Sequence, residues 1–312
     1  MSYSVGVDLG GTSIKYGLIN ESGTIITESL RPTKLPGTGL TVIDHLKQAI
    51  AEMLDYAEKR SFKVAGIGVG VPALVEEGYV IGCSGNLPEI ERTEMSQILS
   101  SWFDRPVFIE NDANLMALAE MKYGAAIGLT DGVFLTIGTG IGGSLVLNGK
   151  PYGGYRNRGT EFGHICVSTA GPSCSCGGIG CLEALASVQA LIRYYSQLFS
   201  EQELEKIKQI NGRFIIDRYH QNENEAILAL KRHFDYLASG VASLINIFSP
   251  QKVIIGGGIT EAGPFYVEQI SKRAMLLAMK ETSLFTTIEP ALLVNKGGFP
   301  GASALVFNKI NR

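Results

Sequence analysis

Four side chains that bind transition metals are concentrated in one short stretch of the sequence. They have the spacing H-x9-C-x-C-x4-C and are His164, Cys174, Cys176 and Cys181. One imidazole and three thiolates form a closed tetrahedral set for Zn²⁺, which leaves no position for a reacting water. Glycines at 177, 178 and 180 allow the chain to fold back on itself. The pattern favours a structural zinc ion over the alternative, a cluster of free cysteines.

Carboxylates and amides that zinc does not need lie near this motif and elsewhere. Glu161 precedes His164 by three residues, and Glu183 follows Cys181 by two. Asn86 stands in Gly-Asn-Leu-Pro, where an amide is also common in turns. Carboxylates, neutral amides and one histidine together suit a ligand made of hydroxyl groups, such as a sugar.

A further polar group, Glu110-Asn111-Asp112, stands between a predicted strand and a predicted helix. An acid at the start of a helix often serves only as its N-cap. Here Asn111 can take that role, which leaves the Asp112 carboxylate for a hydroxyl group. Phosphoryl transfer to an alcohol needs such a carboxylate as its base, so Asp112 is the candidate catalytic residue.

Two glycine-rich turns have the composition of phosphate-binding loops. The first is Asp8-Leu9-Gly10-Gly11-Thr12, and the second is Gly-Thr-Gly-Ile-Gly-Gly at 138–143. Backbone N–H groups and threonine hydroxyls can face phosphate oxygens, and Asp8 can hold Mg²⁺ directly or through water. A tight turn without a ligand is the alternative for each one. Gly256–Gly258, a third such turn at a strand end, favours a polyphosphate ligand.

Two common nucleotide-binding motifs are excluded. The second turn matches G-x-G-x-x-G, but a dinucleotide-binding loop must open a helix. Here the strand-like Ser-Leu-Val-Leu follows instead. The sequence also contains no G-x-x-x-x-G-K-[ST] loop, so neither a nicotinamide cofactor nor a Walker A loop is predicted.

The overall composition excludes further classes of protein. The 312 residues include 27 Lys and Arg against 30 Asp and Glu, and the formal net charge of −3 predicts no binding to nucleic acid or an anionic membrane. We expect no signal peptide, because MSYSVGVDLGG has no basic region and no long apolar run, and we expect no membrane span, which needs about 20 predominantly apolar residues. Three of the five cysteines crowd into the metal motif, which is typical of a reducing compartment, so we expect a cytoplasmic protein. We expect the other two, Cys83 and Cys166, to be buried as small apolar side chains.

The elements that must carry these residues alternate between strand-like and helix-like segments, which predicts an α/β fold. Apolar periodicity and turn residues predict hairpins at 4–19 and 133–147, helices at 41–59, 111–123 and 225–248, and strands at 64–71, 106–109 and 252–255. The polar stretch 200–225 yields no prediction. A shift of 128 residues lays Val7–Thr12 over Leu135–Gly140. This similarity suggests a duplicated fold that clamps a polyphosphate between two lobes, and the alternative is a chance likeness of two short hairpins.

Seven motifs in chain order resemble a known family. They are VGVDLGGTSIKYGL, GNLP, IENDAN, TIGTGIGG, GTEFGH, CSCGGIGCLE and VIIGGGI. Together they span most of the chain and resemble the ROK family of sugar kinases and related repressors. The resemblance implies an α/β, duplicated, actin-like (ribonuclease-H-type) ATPase fold with ATP in the cleft between two lobes. It also implies transfer of the γ-phosphoryl group to a sugar hydroxyl, usually the 6-hydroxyl of an aldohexose.

The resemblance further implies a role for individual residues, with Asp112 as the catalytic base. The sugar ligands that it implies are Asn86, Asn111, Asp112, Glu161, His164 and Glu183. The ATP and Mg²⁺ set that it implies is Asp8, Gly10, Gly11, Thr12, Lys15, Thr139, Gly140, Gly256, Gly257 and Gly258. The implied zinc ligands are the four of the metal motif. An imidazole has two nitrogens, so His164 can bind zinc with one and a sugar with the other.

Departures from the family pattern concern the substrate. Ala73 stands where the family's glucokinases usually have glycine, and the run VPALV followed by NLP resembles the allose kinases. We therefore predict allose as the first choice and glucose as the second, with N-acetylmannosamine as an alternative.

Three expectations concern the organisation of the protein. We expect a small lobe at 1–115 and a large lobe at 116–312, whose C-terminal helix is able to return to the small lobe. A repressor of the family would carry a helix-turn-helix before the first glycine turn, and that turn begins at residue 8, which disfavours this class. Members of the family are often dimers, so the resemblance offers a homodimer as one option, while the sequence itself does not define the oligomeric state.

Overall fold

The computed structural model describes residues 1–34, 37, 39–82, 84, 87–207, 209–293 and 297–310. The strands are β1 (Tyr3–Leu9), β2 (Ser13–Asn20), β3 (Ile25–Pro32), β4 (Val64–Val71), β5 (Leu74–Glu76), β6 (Tyr79–Gly82), β7 (Val107–Asn111), β8 (Gly132–Ile137), β9 (Ile141–Leu147), β10 (Lys150–Tyr152), β11 (Lys252–Gly256) and β12 (Thr287–Pro290). The α-helices are α1 (Val42–Glu58), α2 (Met95–Phe103), α3 (Asp112–Tyr123), α4 (Leu182–Ala186), α5 (Val188–Ser196), α6 (Glu201–Leu204), α7 (Gly212–His220), α8 (Asn224–Phe248), α9 (Pro264–Leu277), α10 (Lys280–Ser283) and α11 (Gly298–Ile310).

Two five-stranded mixed sheets form the scaffold, with the strand orders β3-β2-β1-β4-β7 and β10-β9-β8-β11-β12. In the first sheet β1 pairs antiparallel with β2 and parallel with β4, which pairs parallel with β7. In the second sheet β8 pairs antiparallel with β9 and parallel with β11, which pairs parallel with β12. The second sheet therefore repeats the first, and the predicted duplicated α/β fold is confirmed.

The two sheets correspond residue by residue along their central strands. Asp8 of β1 lies opposite Gly70 of β4. Thr136 of β8, which is 128 residues later in the chain, lies opposite Gly256 of β11. The strand ends that carry the predicted phosphate turns are therefore equivalent positions of the two sheets.

The two hairpin turns differ in length by one residue. The first turn joins the pair Leu9 and Ile14 and contains four residues, 10–13. The second joins the pair Ile137 and Ile141 and contains three, 138–140. A shift of 128 residues thus relates β1 to β8, while the returning strands are related by a shift of 127.

The chain divides into two compact units. The first comprises Met1–Gly128, Pro151–Gly159 and Asn295–Arg312, and the second comprises Leu129–Lys150 and Thr160–Val294. This division differs from the boundary expected at residue 115, because that position falls inside α3, which packs against α11 and stays with the first unit. Helix α11 itself belongs to the first unit, as the sequence allowed.

Helix α11 completes the first unit by packing against β1 and β4. The backbones approach so closely that a Cβ at Gly6 would collide with the carbonyl of Phe299, and one at Gly68 with the carbonyl of Ala302. Most of α11 is buried. The first unit therefore needs residues from both ends of the sequence to form its core.

Each unit has its own hydrophobic core around its sheet. In the first unit α1 packs against β1 and β2, and in the second α8 packs against α5 and α9. Within the described residues, no helix has the length and apolar character that a membrane span requires.

Candidate active site

The four predicted zinc ligands come together in the second unit. Their donor atoms all lie within 4.8 Å of one another. Cys174 Sγ is 3.5 Å from His164 Nδ1, and Cys176 Sγ is 3.6 Å from Cys181 Sγ. Zn–S bonds of about 2.3 Å in a tetrahedral site separate two sulfurs by about 3.8 Å. The donor set therefore fits a four-coordinate zinc ion, to which His164 would offer Nδ1, the ring nitrogen nearest the Cys174 sulfur.

Backbone hydrogen bonds build the loop that carries these ligands, which we call the zinc clip (residues 164–181). The Cys174 N–H donates to the Gly178 carbonyl at 2.8 Å, and the Gly180 N–H donates to the Pro172 carbonyl at 2.9 Å. Gly180 has φ +66°, and a Cβ there would collide with a neighbouring carbonyl. The clip is thus folded by turns that only glycine permits, without an apolar core of its own.

The thiols of the zinc clip have unequal environments. Cys181 is buried, and burial raises the pKa of its thiol to about 12. Cys176 is exposed, and the Gly178 N–H is the main cause that lowers the pKa of its thiol. A buried thiolate is costly unless a cation accompanies it, so metal binding and folding of the clip are coupled.

The prediction that Cys166 is buried was wrong. Its side chain is exposed, with Sγ 3.5 Å from the Ser168 carbonyl. The reason is that its neighbours Ile165 and Val167 pack against the core of the second unit, which leaves the side chain between them on the solvent side. The other predicted apolar cysteine, Cys83, lies outside the described residues.

In the first unit, strand β7 ends at Asn111 and helix α3 begins at Asp112. Asn111 Oδ1 accepts from the N–H of Ala113 at 2.9 Å and from that of Asn114 at 3.3 Å, so Asn111 is the N-cap. Asp112 is exposed, and its Oδ1 also accepts from the Ala113 N–H, at 2.8 Å. The carboxylate is therefore held by the backbone at the carboxyl end of a parallel strand, which is where open α/β sheets bind ligands.

The sequence did not predict that Glu110 and Asn157 stabilise the junction between β7 and α3. Glu110 Oε1 accepts from the Asn111 N–H at 2.9 Å, from Asn114 Nδ2 at 3.1 Å and from Asn157 Nδ2 at 3.2 Å. Asn157 Nδ2 also donates to the Val75 carbonyl at 2.9 Å. The Glu-Asn-Asp motif contained Glu110, but nothing local could reveal a partner 47 residues further along the chain.

Three predicted sugar ligands lie in the second unit. Glu161 immediately precedes a short 3-10 turn whose last residue is His164, and Glu183 lies on α4. The pKa of the Glu161 carboxyl is raised, mainly because protein atoms displace water from it; the charge of His164 opposes this rise and the charge of Glu183 adds to it. Glu183 Oε2 accepts from the Ile141 N–H at 2.9 Å.

Both predicted phosphate turns are hairpin turns closed by one backbone hydrogen bond. In the first, the Gly10 N–H donates to the Ser13 carbonyl at 2.9 Å, and in the second the Gly138 N–H donates to the Gly140 carbonyl at 2.9 Å. The side chains at the two tips, Thr12 and Thr139, are exposed, as is Gly11. Each unit thus presents one threonine hydroxyl at the end of its central strand.

Asp8 precedes the first turn and is half-buried. Burial raises the pKa of its carboxyl, while the charge of Lys15, its partner on β2, opposes this rise. Its carboxylate lies against Gly298, where α11 begins, and a Cβ at that glycine would collide with it. A bound cation would favour the charged carboxylate, so Asp8 fits the predicted Mg²⁺ role.

A cavity of about 620 Å³ in the second unit opens beside the second phosphate turn. Its lining contains Gly138 and Thr139 of the turn, Gly258 after β11, the apolar side chains of Val188, Ile216 and Ile259, and the polar side chains of Asn211, Arg213, Asp217, His220 and Glu261. This volume lies within the usual range of small-molecule sites. Helix α7 supplies one wall, and it comes from the stretch 200–225 that gave no prediction.

The predicted site residues are divided between the units. The first unit holds Asp8, Gly10, Gly11, Thr12, Lys15, Asn111 and Asp112, and the second holds Thr139, Gly140, Glu161, His164, Glu183, Gly256, Gly257, Gly258 and the three zinc-binding cysteines. Asn86 lies outside the described residues.

Comparisons with known proteins agree on one family. The model of the ROK family matches residues 4–309. A glucokinase from Thermotoga maritima is 32% identical over 98% of this chain and 98% of the relative. A crystal structure of a ROK family glucokinase from Streptomyces griseus in complex with glucose and AMPPNP is 28% identical, with a TM-score of 0.84 and coverage of 98% and 99%. A putative N-acetylmannosamine kinase from Listeria monocytogenes is 28% identical, with a TM-score of 0.80 and coverage of 99% and 100%.

Proposed function

Because the chain belongs to the ROK family, we propose that it transfers the γ-phosphoryl group of ATP to the 6-hydroxyl of an aldohexose. The observation that carries this proposal is the start of α3. Asn111 caps the helix, while the Asp112 carboxylate is exposed at the carboxyl end of β7. A carboxylate in that place suits the base that transfer to an alcohol requires.

In this reaction Asp112 accepts the proton of the 6-hydroxyl as that oxygen attacks the γ-phosphorus. The bond from the γ-phosphorus to the bridging oxygen breaks, and ADP leaves with the electron pair. The Ala113 N–H, bonded to Asp112 Oδ1 at 2.8 Å, orients the carboxylate before the sugar binds. A positioned base of this kind commonly contributes about 10²–10⁴ in rate.

We assign the adenosine of ATP to the cavity beside the second phosphate turn, and its phosphates to the glycine turns. The support for this assignment is that the cavity joins Thr139 to Gly258 and has the volume of a small-molecule site. Mg²⁺, when bound, neutralises charge on the phosphates, and Asp8 is the carboxylate that suits it.

In this proposal zinc takes no part in the reaction, and its role is to fix the position of the His164 ring. With Nδ1 on the metal, the ring orientation is fixed and Nε2 is presented to a sugar hydroxyl. Glu161 and Glu183 lie within electrostatic reach of one another near this ring, and both can accept hydrogen bonds from hydroxyl groups. Cysteines that bind a metal must remain reduced, and the cytoplasm is a reducing compartment, so we expect the protein to act there.

For the sugar we propose allose first and glucose second. The support is at Ala73, which is buried and whose carbonyl accepts from Asn111 Nδ2 at 3.2 Å. The backbone of residue 73 therefore contacts a proposed sugar ligand, and the methyl group that distinguishes Ala73 from glycine is buried beside that contact. A single methyl group discriminates by about 1–3 kcal/mol, so we expect overlapping activity on the two epimers.

The likeness to a putative N-acetylmannosamine kinase supports that amino sugar as the alternative substrate. A coupled assay of ADP release with allose, glucose, mannose and N-acetylmannosamine tests all of these, and failure with every sugar refutes the kinase. Ala73→Gly should raise the ratio of kcat/KM for glucose to that for allose. An unchanged ratio removes Ala73 from substrate selection.

The repressors of the ROK family define the non-enzymatic alternative. A repressor needs sugar recognition, but it needs neither an exposed acid at Asp112 nor two phosphate turns. This combination favours the kinase, and sugar-dependent release of ADP decides between the two.

We further propose a homodimer formed through one apolar surface of the second unit. We call it the α9–α10 surface, and its side chains, each between 57% and 85% exposed, are Ile247, Leu276, Leu277, Met279, Leu284 and Phe285. The segments that carry them are neighbours, since α10 packs against α8 and the Met279 N–H donates to Asn246 Oδ1. Clustered exposed apolar side chains of this kind mark protein–protein interfaces.

Two further observations favour a second copy of this chain as the occupant. Asn246 Oδ1 accepts from the Met279 N–H at 2.8 Å and from Thr282 Oγ1 at 3.0 Å, so the surface is rigidly held. Lys280 and Glu281 at its edge have opposite charges, which a two-fold arrangement can pair. Phe285→Glu should give monomers in sedimentation velocity, whereas Tyr155→Glu, at an exposed aromatic of the first unit, should not. A monomeric wild type, or a dimeric Phe285→Glu variant, contradicts this proposal.

A further inference from the structure

The second phosphate turn is held at both ends by one short segment, residues 181–188. Glu183 Oε2 accepts from the Ile141 N–H at 2.9 Å, just after the turn. The Val188 N–H donates to the Gly138 carbonyl at 2.9 Å, where the turn begins. The segment that follows the zinc clip therefore fixes the backbone on which we place the phosphates of ATP.

The Glu183 carboxylate lies directly against this turn. A Cβ at Gly140 would collide with Glu183 Oε2, whereas a Cβ at Gly138 would meet no atom within 4 Å. On the other side, Gly163 packs so closely on the Ile141 carbonyl that a Cβ there would also collide. The N–H and the carbonyl of Ile141 are thus both contacted by elements that carry proposed sugar and zinc ligands.

The same segment starts at the metal. Cys181 is the N-cap residue of α4, and Glu183 is the second residue of that helix. The Leu182 N–H donates to the Ile165 carbonyl at 2.9 Å, one residue beyond the zinc ligand His164. A zinc ion bound by Cys181 and His164 would therefore hold the backbone immediately before Glu183.

We infer that Glu183 is a positioning residue that couples the sugar site to the second phosphate turn, an inference that rests on the proposed function. One carboxylate oxygen holds the Ile141 N–H while the other accepts a sugar hydroxyl. A bound sugar then restrains the carboxylate in the orientation that orders the turn, and an ordered turn presents the carboxylate to the sugar. By linkage, sugar and nucleotide raise each other's affinity by the same factor, and couplings of this kind are commonly about 5–150-fold.

Electrostatics and positioning predict opposite effects for one substitution. Removal of the Glu183 carboxylate from beside a triphosphate reduces repulsion, which by itself tightens nucleotide binding. Loss of the bond to Ile141 disorders the turn, which weakens nucleotide binding. Glu161→Ala is the matched control, because it removes a neighbouring carboxylate whose described contacts do not include the turn.

The first test measures binding of Mg²⁺–AMPPNP by calorimetry in the absence of sugar. We expect Glu183→Ala to weaken binding about 5-fold or more, since a charge-assisted hydrogen bond is lost. Glu161→Ala should leave binding unchanged or tighten it. Equal or tighter binding by Glu183→Ala overturns the inference.

The second test uses two glycines of the same turn and measures the affinity for glucose and for allose without nucleotide. Gly140→Ala displaces the Glu183 carboxylate without changing its charge, so sugar affinity should fall about 5-fold or more. Gly138→Ala adds the same methyl group to open space and should change sugar affinity less than about 2-fold. Equal sugar affinity in the two variants overturns the inference, and unfolding temperature and zinc content are measured for both.

These outcomes are distinct from a failure of the proposed function. A wild type that phosphorylates no hexose refutes the kinase, but the nucleotide measurement needs no sugar and still decides the role of Glu183. If Gly140→Ala does not fold, the Glu183 variant, which adds no atom, decides alone. A wild type that phosphorylates a hexose while Glu183→Ala and Glu161→Ala bind AMPPNP alike retains the function and refutes the coupling.

Discussion

Substitution of Asp112 by asparagine should separate catalysis from stability at the start of α3. There Asn111 caps the helix, and the adjacent Asp112 is the proposed base. Asn111 caps the helix through Oδ1 and donates from Nδ2 to the Ala73 carbonyl at 3.2 Å. Asp112 is exposed, and asparagine at that position can still accept from the Ala113 N–H through its amide oxygen.

The magnitudes follow from these contacts. Asp112→Asn removes the base and should lower kcat about 10²–10⁴-fold, which is about 2.7–5.4 kcal/mol in the activation barrier. Its effect on the free energy of unfolding should stay below about 1 kcal/mol, the usual value of a carboxylate near a helix N-terminus. Asn111→Ala loses the helix cap, worth about 1 kcal/mol, and the hydrogen bond to the Ala73 carbonyl, worth about 1 kcal/mol. It should therefore destabilise the protein by about 2 kcal/mol.

The assay combines ADP release at saturating sugar, calorimetric sugar binding and thermal unfolding. Asp112→Asn should bind sugar within about 3-fold of the wild type and unfold at nearly the same temperature, because a base contributes mainly in the transition state. Retention of more than about a tenth of kcat removes Asp112 from the role of base. A loss of stability as large as that of Asn111→Ala would show that Asp112 is structural.

Two other perturbations test the second unit. Cys176→Ser removes one of four proposed zinc donors, so the zinc content and the sugar affinity should both fall. Cys166→Ser, a control from the same loop, should leave both unchanged. Full sugar affinity in a zinc-free protein would refute the metal's role in orienting His164. Burial in the core lowers the pKa of His233 to about 3 from 6.5, and its Nε2 lies 2.6 Å from the Tyr266 hydroxyl. The unfolded chain therefore binds a proton below pH 6.5 that the folded protein does not, and stability should fall by about 2 kcal/mol from this group between pH 7 and pH 5. His233→Gln should remove that part of the pH dependence of thermal unfolding, and an unchanged dependence would exclude His233 as its source.

The features predicted well from the sequence are those whose parts are close along the chain. The zinc clip needs four ligands within 18 residues, and its glycines already indicate how the backbone can bring them together. The phosphate turns are hairpins, whose pairing is local by nature. The capping of α3 by Asn111 was also accessible, because capping involves only the next three residues.

The features that the sequence did not reveal depend on distant packing. The cavity wall at α7 forms because residues near 138, 188, 212 and 259 come together in the fold. The polar stretch around α7 has no apolar periodicity from which this wall could be predicted. The bond between Glu183 and Ile141 joins residues 42 positions apart, and a Glu–backbone contact leaves no sequence signature. The exposure of Cys166 depends on which side of its segment faces the core, and Ile165 and Val167 take that side, which residue type alone does not report.

The packing of α11 has a consequence for the order in which the protein can be made. The surface of β1 and β4 that α11 covers is synthesised early, while residues 298–310 leave the ribosome only after the whole of the second unit. Until then the strands expose the apolar face on which Phe299 and Ala302 later lie. The second unit, whose two segments are separated only by residues 151–159 of the first unit, is therefore able to fold during translation, whereas the first unit stays incomplete until its last helix has been synthesised.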